Sequence, residues 1–272
     1  SGQTCTIDSD SPETACKTLT LGGTLTVKYD YLLRLGRDGE THSSTLTGTL
    51  DLTGAEGHNV GILYIRGNHT ITGDNGLIKM TTKGEIRSYN SSTSDELTIA
   101  GVGSAREDSL TITGGGKIAV KFHNHAYVAA NLDGGGGQLA VEDFDVDGNS
   151  SGHWIAEAGG HMDFNGVDVT GNATWEVVDA DCGDGKCGGY FVIDPYSHVV
   201  GSGDVILKLS RNNSTSYQEG DGVALEVHGS FCTTGNLIWE SIDVSGTASN
   251  PMIYVAGDKT AKFGVSSCTG SP

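Results

Sequence analysis

The clearest candidates for chemistry are three aspartates at alternate positions: Asp143, Asp145 and Asp147. Together with Gly148 they match the opening of a calcium-binding loop, in which alternate carboxylates ligate the ion. The bidentate glutamate expected near the end of such a loop is missing, because Trp154 stands there. Alternatively, the aspartates form the solvent side of a strand whose Phe144 and Val146 face the core. The pattern is compatible with both a calcium site and an ordinary strand.

Acid–base chemistry is a second candidate. If Asp145 and Asp168 stack on successive turns of a repeating fold, their carboxylates lie about 5 Å apart, which is the geometry of a retaining glycosidase. At an effective dielectric constant of about 20, two such charges repel by about 3 kcal/mol. A cation, a raised pKa or rotamers that diverge into water must relieve this repulsion. The bases available near these acidic strands are Lys121, Lys208 and Arg211.

Two further groups of side chains suit ligand binding. His123 and His125 place two imidazoles on one face of a predicted strand, but no third metal ligand is identifiable, and exposed polar residues are the alternative. The three tryptophans and nine tyrosines could stack on sugars at the surface. Trp239 aligns with core positions of the repeat described next, so we expect it to be buried.

Short strands that end in glycine recur along the chain. Each unit reads apolar, polar, apolar, small or acidic, then Gly, at residues 50–54, 97–101, 110–114, 144–148, 167–171, 225–229, 242–246 and 253–257. The alternation with period two predicts a strand, and the glycine predicts a turn with positive φ. With 42 Gly and only 4 Pro among 272 residues, the composition favours an all-β fold of strands and turns over disorder.

A longer match connects three of these units. Residues 139–149, 162–172 and 237–247 agree in residue type without a gap, including two successive polar residues that break the alternation. Such a break predicts a corner. Repeats of about 20–30 residues with corners predict a parallel β-helix, whose strands pair with the coils above and below. A β-sandwich or jelly roll is the alternative fold.

On these repeats the chain resembles the pectin-lyase-like superfamily of right-handed parallel β-helices, over about residues 46–265. The resemblance implies a β-solenoid and, for its catalytic members, a polysaccharide lyase or glycoside hydrolase. The G-H-G and R-I-K signatures of polygalacturonase-like members are missing, and the surroundings of His161 and Arg211 do not match them. We predict one structural domain with disulfide-pinned ends: residues 1–45 form an N-terminal segment and cap, and residues 46–272 form the β-helix with a C-terminal segment.

Cysteines and glycosylation sequons indicate an extracellular protein. Six cysteines allow fifteen pairings, with unpaired buried thiols as the alternative. Nearness in sequence favours Cys5–Cys16, Cys182–Cys187 and Cys232–Cys268. The N-x-S/T sequons are Asn68, Asn90, Asn149, Asn172, Asn212 and Asn213. Because the chain opens at Ser1 without a hydrophobic leader, we interpret it as a mature secreted protein, with an engineered start as the alternative.

Charge limits the partners. A net charge of −18 makes nucleic acid and anionic membrane surfaces poor partners by Coulomb repulsion, and no apolar run reaches the roughly 18 residues of a membrane span. Cations and neutral carbohydrates suit this surface, whereas a strongly anionic polysaccharide requires bridging metal or a local basic patch. Calcium is the one cofactor that the sequence indicates.

The absence of a recognisable catalytic motif favours a role other than catalysis. We therefore predict a secreted structural or adhesive β-solenoid that self-associates, as in a cell-surface or extracellular filament, or binds a surface glycan. One alternative is a calcium-dependent polysaccharide lyase or glycoside hydrolase. Another is a non-catalytic carbohydrate-binding module, which requires exposed aromatic residues in a row on one face.

Overall fold

The structure, a computed structural model, describes most of the chain. The described residues are 13–27, 32–52, 61–81, 83–89, 94–131, 137–181, 186–209, 224–241 and 253–268. They form mainly β-strands, and a short 3-10 helix occupies Arg106–Asp108. Within these ranges no helix is both long and apolar enough to cross a membrane.

Parallel strands, numbered in chain order, stack into three ladders that we name A, B and C. Ladder A contains β1 (Glu13–Cys16), the first parts of β4 (Leu32–Leu46) and β6 (Ile62–Gly73), β8 (Glu85–Ser88), β11 (Gly116–Ala119), β14 (Gln138–Glu142), β17 (His161–Asn165), β21 (Tyr190–Ile193), β24 (Leu225–Val227) and β27 (Ile253–Val255). Ladder B contains β2 (Thr20–Leu21), the second parts of β4 and β6, β9 (Glu96–Gly101), β12 (Lys121–His125), β15 (Val146–Gly148), β18 (Asp168–Gly171), β22 (His198–Gly201), β25 (Ser230–Thr233) and β28 (Thr260–Lys262). Ladder C contains β3 (Thr24–Val27), β5 (Thr49–Leu52), β7 (Leu77–Met80), β10 (Thr111–Gly114), β13 (Tyr127–Ala130), β16 (His153–Glu157), β19 (Thr174–Asp181), β23 (Val205–Leu209) and β26 (Leu237–Ser241).

The chain visits ladders A, B and C in turn, so the protein is a β-solenoid, as the repeat predicts. A sandwich or jelly roll is excluded, because those folds are built from antiparallel neighbours. Among the described pairs the antiparallel exception is β20 (Lys186–Gly188), which pairs with the end of β19. Strands β1 to β4 already belong to the ladders, so residues 13–27 and 32–46 are part of the β-helix. The right-handed sense stays a prediction.

The register confirms one repeat alignment and corrects another. Strand β14 pairs with β17 so that Leu139 lies beside Met162, and β15 pairs with β18 so that Val146 lies beside Val169. These are the partners that the sequence match predicts. The third aligned copy is wrong, because Leu237 opens a strand of ladder C rather than ladder A. All three ladders share the same alternation of inward and outward residues, so the pattern alone does not distinguish them.

Stacked inward side chains form one continuous core, and its centre is aromatic. The Trp154 ring lies between Phe122 and Phe164, with centroid distances of 6.0 and 5.3 Å. The column continues through Trp175 to Phe231, 5.4 Å away. Trp154 is 0% exposed and Trp175 is also buried, so the idea that these tryptophans line a sugar-binding surface is wrong. The side chain of Trp239 lies outside the described residues.

Glycine ends several of the repeated units for two different reasons. Gly171 has a φ of +104°, and a Cβ there would lie 2.0 Å from the carbonyl oxygen of Gly148, so both conformation and space require glycine. Gly148 itself has no positive φ, but a Cβ would lie 2.5 Å from that of Ala173. Close stacking at the corner therefore requires glycine even where the predicted positive φ does not occur.

The disulfide prediction is confirmed where the structure describes both partners. Cys232 on β25 is bonded to Cys268, with their Cα atoms 5.7 Å apart, which ties the C-terminal segment to the last coils. Cys16 is also disulfide-bonded, and its predicted partner Cys5 lies outside the described residues. Cys182 lies outside them too, and Cys187 is on β20, whose backbone pairs with β19.

We expect Trp154→Ala to lower the free energy of unfolding by about 3–5 kcal/mol, because it leaves a large cavity at the centre of the aromatic column. Urea denaturation followed by circular dichroism measures the change. Tyr196→Ala is the control, since Tyr196 is 81% exposed and its loss should cost little. Equal destabilisation by the two variants would contradict the central role of this column.

Candidate functional site

The structure separates Lys208 from the two aspartates predicted for acid–base chemistry, whereas Lys121 lies on ladder B with them and donates a hydrogen bond to Glu96. Asp145 and Asp168 are neighbours on successive coils at ladder B, but the Asp145 carboxylate accepts a hydrogen bond of 3.2 Å from the backbone N–H of Asp168. Lys208 lies on ladder C, where its Nζ donates to Glu176 Oε1 at 2.5 Å. Arg211 lies outside the described residues. The two aspartates and Lys208 are therefore on different faces of the solenoid, and these residues do not form one site.

Each of the three aspartates of the calcium-type pattern contacts a different partner. Asp143, which has a φ of +70°, has its Oδ2 3.5 Å from Lys117 Nζ. The Oδ2 of Asp147 lies 2.9 Å from His123 Nδ1. Among the described residues, no group of three or more His, Cys, Asp or Glu side chains is arranged to hold a metal ion. Calcium binding by Asp143, Asp145 and Asp147 stays a prediction.

Aromatic and charged side chains instead gather on the outer face of ladder A. They form two groups, one near each end of the solenoid. The group on the later coils, which we call the carboxylate–aromatic cluster, consists of His161, Asp163, Tyr190, Glu226, His228 and Tyr254. The group on the earlier coils, which we call the Arg–Tyr cluster, consists of Arg34, Tyr64, Arg66, Arg87 and Tyr89.

Ladder register brings the rings of the carboxylate–aromatic cluster together. His161 pairs with Tyr190 on the next coil, and their rings stack with centroids 4.9 Å apart and planes 10° from parallel. The rings of His228 and Tyr254 are 5.7 Å apart, and Tyr254 is 40% exposed. A ring face that its neighbour leaves uncovered can stack against the apolar face of a sugar ring.

Carboxylates stand beside these rings. Asp163 accepts a hydrogen bond from Gln138 Nε2, and His161 Nε2 lies 3.8 Å from its Oδ2. Its other oxygen is buried and has no hydrogen-bond partner among the described residues. Burial raises the pKa of Asp163, and the negative charges of Asp194 and Glu226 raise it further, against the lowering effect of His161 and Gln138. This carboxyl group therefore holds its proton to a higher pH than an exposed aspartate.

The Arg–Tyr cluster is built around the Tyr89 ring. The guanidinium carbons of Arg34 and Arg66 lie 4.8 and 5.0 Å from its centroid, and Tyr64 meets it edge-on at 5.5 Å. Arg87 donates a hydrogen bond to the hydroxyl of Tyr64. The sequence has only six arginines, so three of them share one surface on a chain with a charge of −18.

A polar corner lies inside the solenoid beneath this cluster. The buried carboxylate of Asp95 accepts hydrogen bonds from Gly67 N–H at 2.7 Å and from Ser88 Oγ at 2.8 Å. Nearby, the Ser44 hydroxyl accepts from Leu19 N–H and lies 2.8 Å from Nε2 of His69. Burial lowers the pKa of His69 to about 4, and His42 contributes in the same direction.

In comparisons with known proteins, no family model, curated protein or solved structure matches this chain.

Sequence reasoning missed both clusters on ladder A because their members are far apart along the chain. Tyr64 meets Arg87 on the next coil, and His161 meets Tyr190. The signal that could have found them is the register of the coils. Once inward positions are aligned, the outward positions that alternate with them fall into columns.

His69 should make the protein less stable in acid. Its pKa is lower in the folded state than the ordinary value of 6.5, so protonation favours unfolding. The His69 contribution is complete above about pH 6.5 and is lost as the pH falls toward 4, by up to about 3 kcal/mol. Urea denaturation at pH 7 and pH 4 should show a loss of stability smaller by that amount in His69→Gln. The control is His198→Gln, at a partly exposed histidine on ladder B; a wild-type pH slope in His69→Gln would contradict the assignment.

Proposed function

We propose that this protein is an extracellular adhesive β-solenoid that binds glycan chains along the outer face of ladder A. The observation that carries the proposal is the placement of aromatic rings and charged groups in register on that one face. A non-catalytic carbohydrate-binding surface requires such a row, and the pairs His161–Tyr190 and His228–Tyr254 supply it. Carboxylate, imidazole and phenol groups beside the rings can exchange hydrogen bonds with sugar hydroxyls.

The shape of ladder A supports an extended ligand. Its strands are parallel and about 4.8 Å apart, so outward side chains repeat at that interval along the solenoid. A polymer that lies along the face meets equivalent positions on each coil and gains affinity from several weak contacts at once. Short oligosaccharides should therefore bind more weakly than long chains.

The extracellular setting rests on covalent features. The Cys232–Cys268 bond and the bonded Cys16 fit an oxidising compartment. Asn68 and Asn172 are exposed and Asn149 is partly exposed, so each can carry a glycan. Asn90, Asn212 and Asn213 lie outside the described residues. Secretion and glycosylation are part of this proposal.

The proposal also includes self-association and membership of a superfamily. A solenoid ends in strand edges that can pair with another copy, which favours a filament or surface layer. Stacking of parallel coils with three ladders supports membership of the pectin-lyase-like superfamily. Size measurement by light scattering across a range of concentrations tests self-association.

We expect Tyr190→Ala and Tyr254→Ala each to weaken glycan binding by about tenfold, because each removes a stacking surface. A polysaccharide and oligosaccharide array identifies the ligand, and titration calorimetry then measures the affinity of each variant. Val200→Ala, on the outer face of ladder B, is the matched control and should bind as the wild type does. The proposal fails if no glycan binds, or if the tyrosine variants keep full affinity.

A second candidate function is glycoside hydrolysis, and the raised pKa of Asp163 is the observation that favours it. A carboxyl group that keeps its proton can act as general acid, with Glu226 or Asp194 as the second carboxyl group of the pair. The catalytic candidates on ladder B and ladder C are not part of this site.

If hydrolysis occurs, Asp163→Asn should lower the rate at which reducing ends are released by about a hundredfold or more. Wild-type turnover should fall as the pH rises through the raised pKa of Asp163, because the acid loses its proton. Asp168→Asn, on ladder B, should leave the rate unchanged. Release of no reducing ends from any polysaccharide that binds would exclude the enzymatic candidate and leave the adhesive one.

A further inference from the structure

We propose that the outer face of ladder A is a dimer interface, on which a second copy of this chain lies antiparallel so that cations of the early coils meet carboxylates of the later coils. The inference goes beyond the self-association proposed above, which uses the strand edges at the ends of the solenoid, and it does not depend on glycan binding. The observation that carries it is the order of charges along the outward columns of ladder A.

The first outward column changes its charge from the early coils to the later ones. Register partners on successive coils place six residues in one row: Glu85, Lys117, Ala140, Asp163, Val192 and Glu226. Ala140 lies one coil after Lys117 and one coil before Asp163. A second copy turned end for end about Ala140 therefore brings Lys117 of each copy opposite Asp163 of the other.

The second outward column, two residues further along each strand, follows the same symmetry. Arg87 is on β8, two coils before β14, and Asp194 directly follows β21, two coils after β14. Asp194 is close enough to Asp163 for its charge to raise the pKa of that carboxyl group, so the two acids share one surface. The rotation that pairs Lys117 with Asp163 thus also brings Arg87 opposite Asp194.

A twofold axis that runs along the strands produces this arrangement. It turns the second copy over so that the two faces meet, and it reverses the direction of the solenoid but keeps the direction of the strands. Each column therefore faces its own copy, and a residue on a coil before the axis faces the residue the same number of coils after it. Such an isologous interface closes after two copies, whereas pairing of strand edges can continue.

Side chains at the axis are compatible with this contact. Ala140, which meets its own copy, has a single methyl group. Glu142, the next outward residue of β14, also meets its own copy, and the Nζ of Lys117 contacts Glu142 within each chain. The two ammonium groups therefore offset the repulsion between the two Glu142 carboxylates.

The charges of these columns are available to a second copy. The side chains of Arg87 and Lys117 are 37% and 32% exposed, and Asp194 is partly exposed. Arg87 lies 3.1 Å from Glu85 within the chain, and an ion pair in contact with water contributes little to stability, so its guanidinium can share a second carboxylate. On a chain with a net charge of −18, such local cation–carboxylate pairs are needed for two copies to approach.

The dimensions of the face suit a reversible dimer. Sheets pack face to face about 10 Å apart, a distance that a lysine or arginine and an acidic side chain span together. The coils from β4 to β27, spaced about 4.8 Å apart, extend over about 40 Å, and strands of about five residues are about 16 Å wide. Contact over this area buries about 1,200 Å² in total, which is at the lower end of the range for specific interfaces.

The test uses two charge-reversal variants, Arg87→Glu and Asp194→Arg, and follows their association by sedimentation velocity over a range of concentrations. We expect the wild type to form a dimer and each variant alone to weaken it by at least about tenfold, because each places like charges opposite one another twice. An equimolar mixture of the two variants should regain the dimer, since both contacts of the mixed pair join opposite charges. Lys117→Glu, at the other column, should weaken the dimer independently.

Lys121→Glu and Asp168→Arg are the matched controls. They change the net charge by the same amounts as the two variants do, but on the outer face of ladder B. Each should dimerise as the wild type does. Circular dichroism and thermal melting check that every variant is folded.

The outcomes separate this inference from the proposed function. The inference is overturned if the wild type is a monomer at every concentration, if the ladder B controls weaken the dimer as much as Arg87→Glu does, or if the two variants stay monomeric when mixed. Larger assemblies that Arg87→Glu leaves unchanged would also overturn it and would support pairing of strand edges instead. Absence of glycan binding would defeat the adhesive function and leave the dimer standing.

Discussion

Parallel stacking of each coil on the one before it is the constraint on which the rest of this structure depends. Every ladder strand shares its hydrogen bonds with the coils above and below, so an inward position on one coil must be inward on the next. Differences in coil length have to be absorbed between the strands. Leu139 pairs with Met162, 23 positions later, whereas Phe191 pairs with Leu225, 34 positions later, and the ladder stays in register in both places.

The same constraint decides where function can lie. Inward positions are committed to the apolar column around Trp154, and the strand backbones are committed to each other. What remains free to vary is the outward column on each ladder and the length of each corner. The two clusters lie in the outward column of ladder A. A bulge that carries Asp38 lies at the corner between ladders A and B.

The difference between inward and outward positions explains which features of the fold and of the site the sequence predicts. The inward pattern repeats, so it predicted the β-solenoid and the pairing of Leu139 with Met162. Because the pattern is the same on all ladders, it placed the copy at Leu237 on the wrong face. Outward residues do not repeat, so adjacency across coils stayed hidden, and Lys208 was grouped with aspartates on another ladder. Asp145 and Asp168 are neighbours on successive coils, as predicted, but one oxygen of the Asp145 carboxylate accepts a hydrogen bond from the backbone N–H of Asp168.

Two aspartates near Arg66, one buried and one exposed, have different roles because of their burial. Asp95 is inside, where losing a bond to Gly67 or Ser88 would leave a buried polar group unpaired at a cost of about 1–3 kcal/mol. Asp38 is outside, where its carboxylate pairs with Arg66 in contact with water. The two aspartates therefore contribute differently to the Arg–Tyr cluster: Asp95 anchors the strand ends from inside, and Asp38 pairs with the Arg66 guanidinium at the surface.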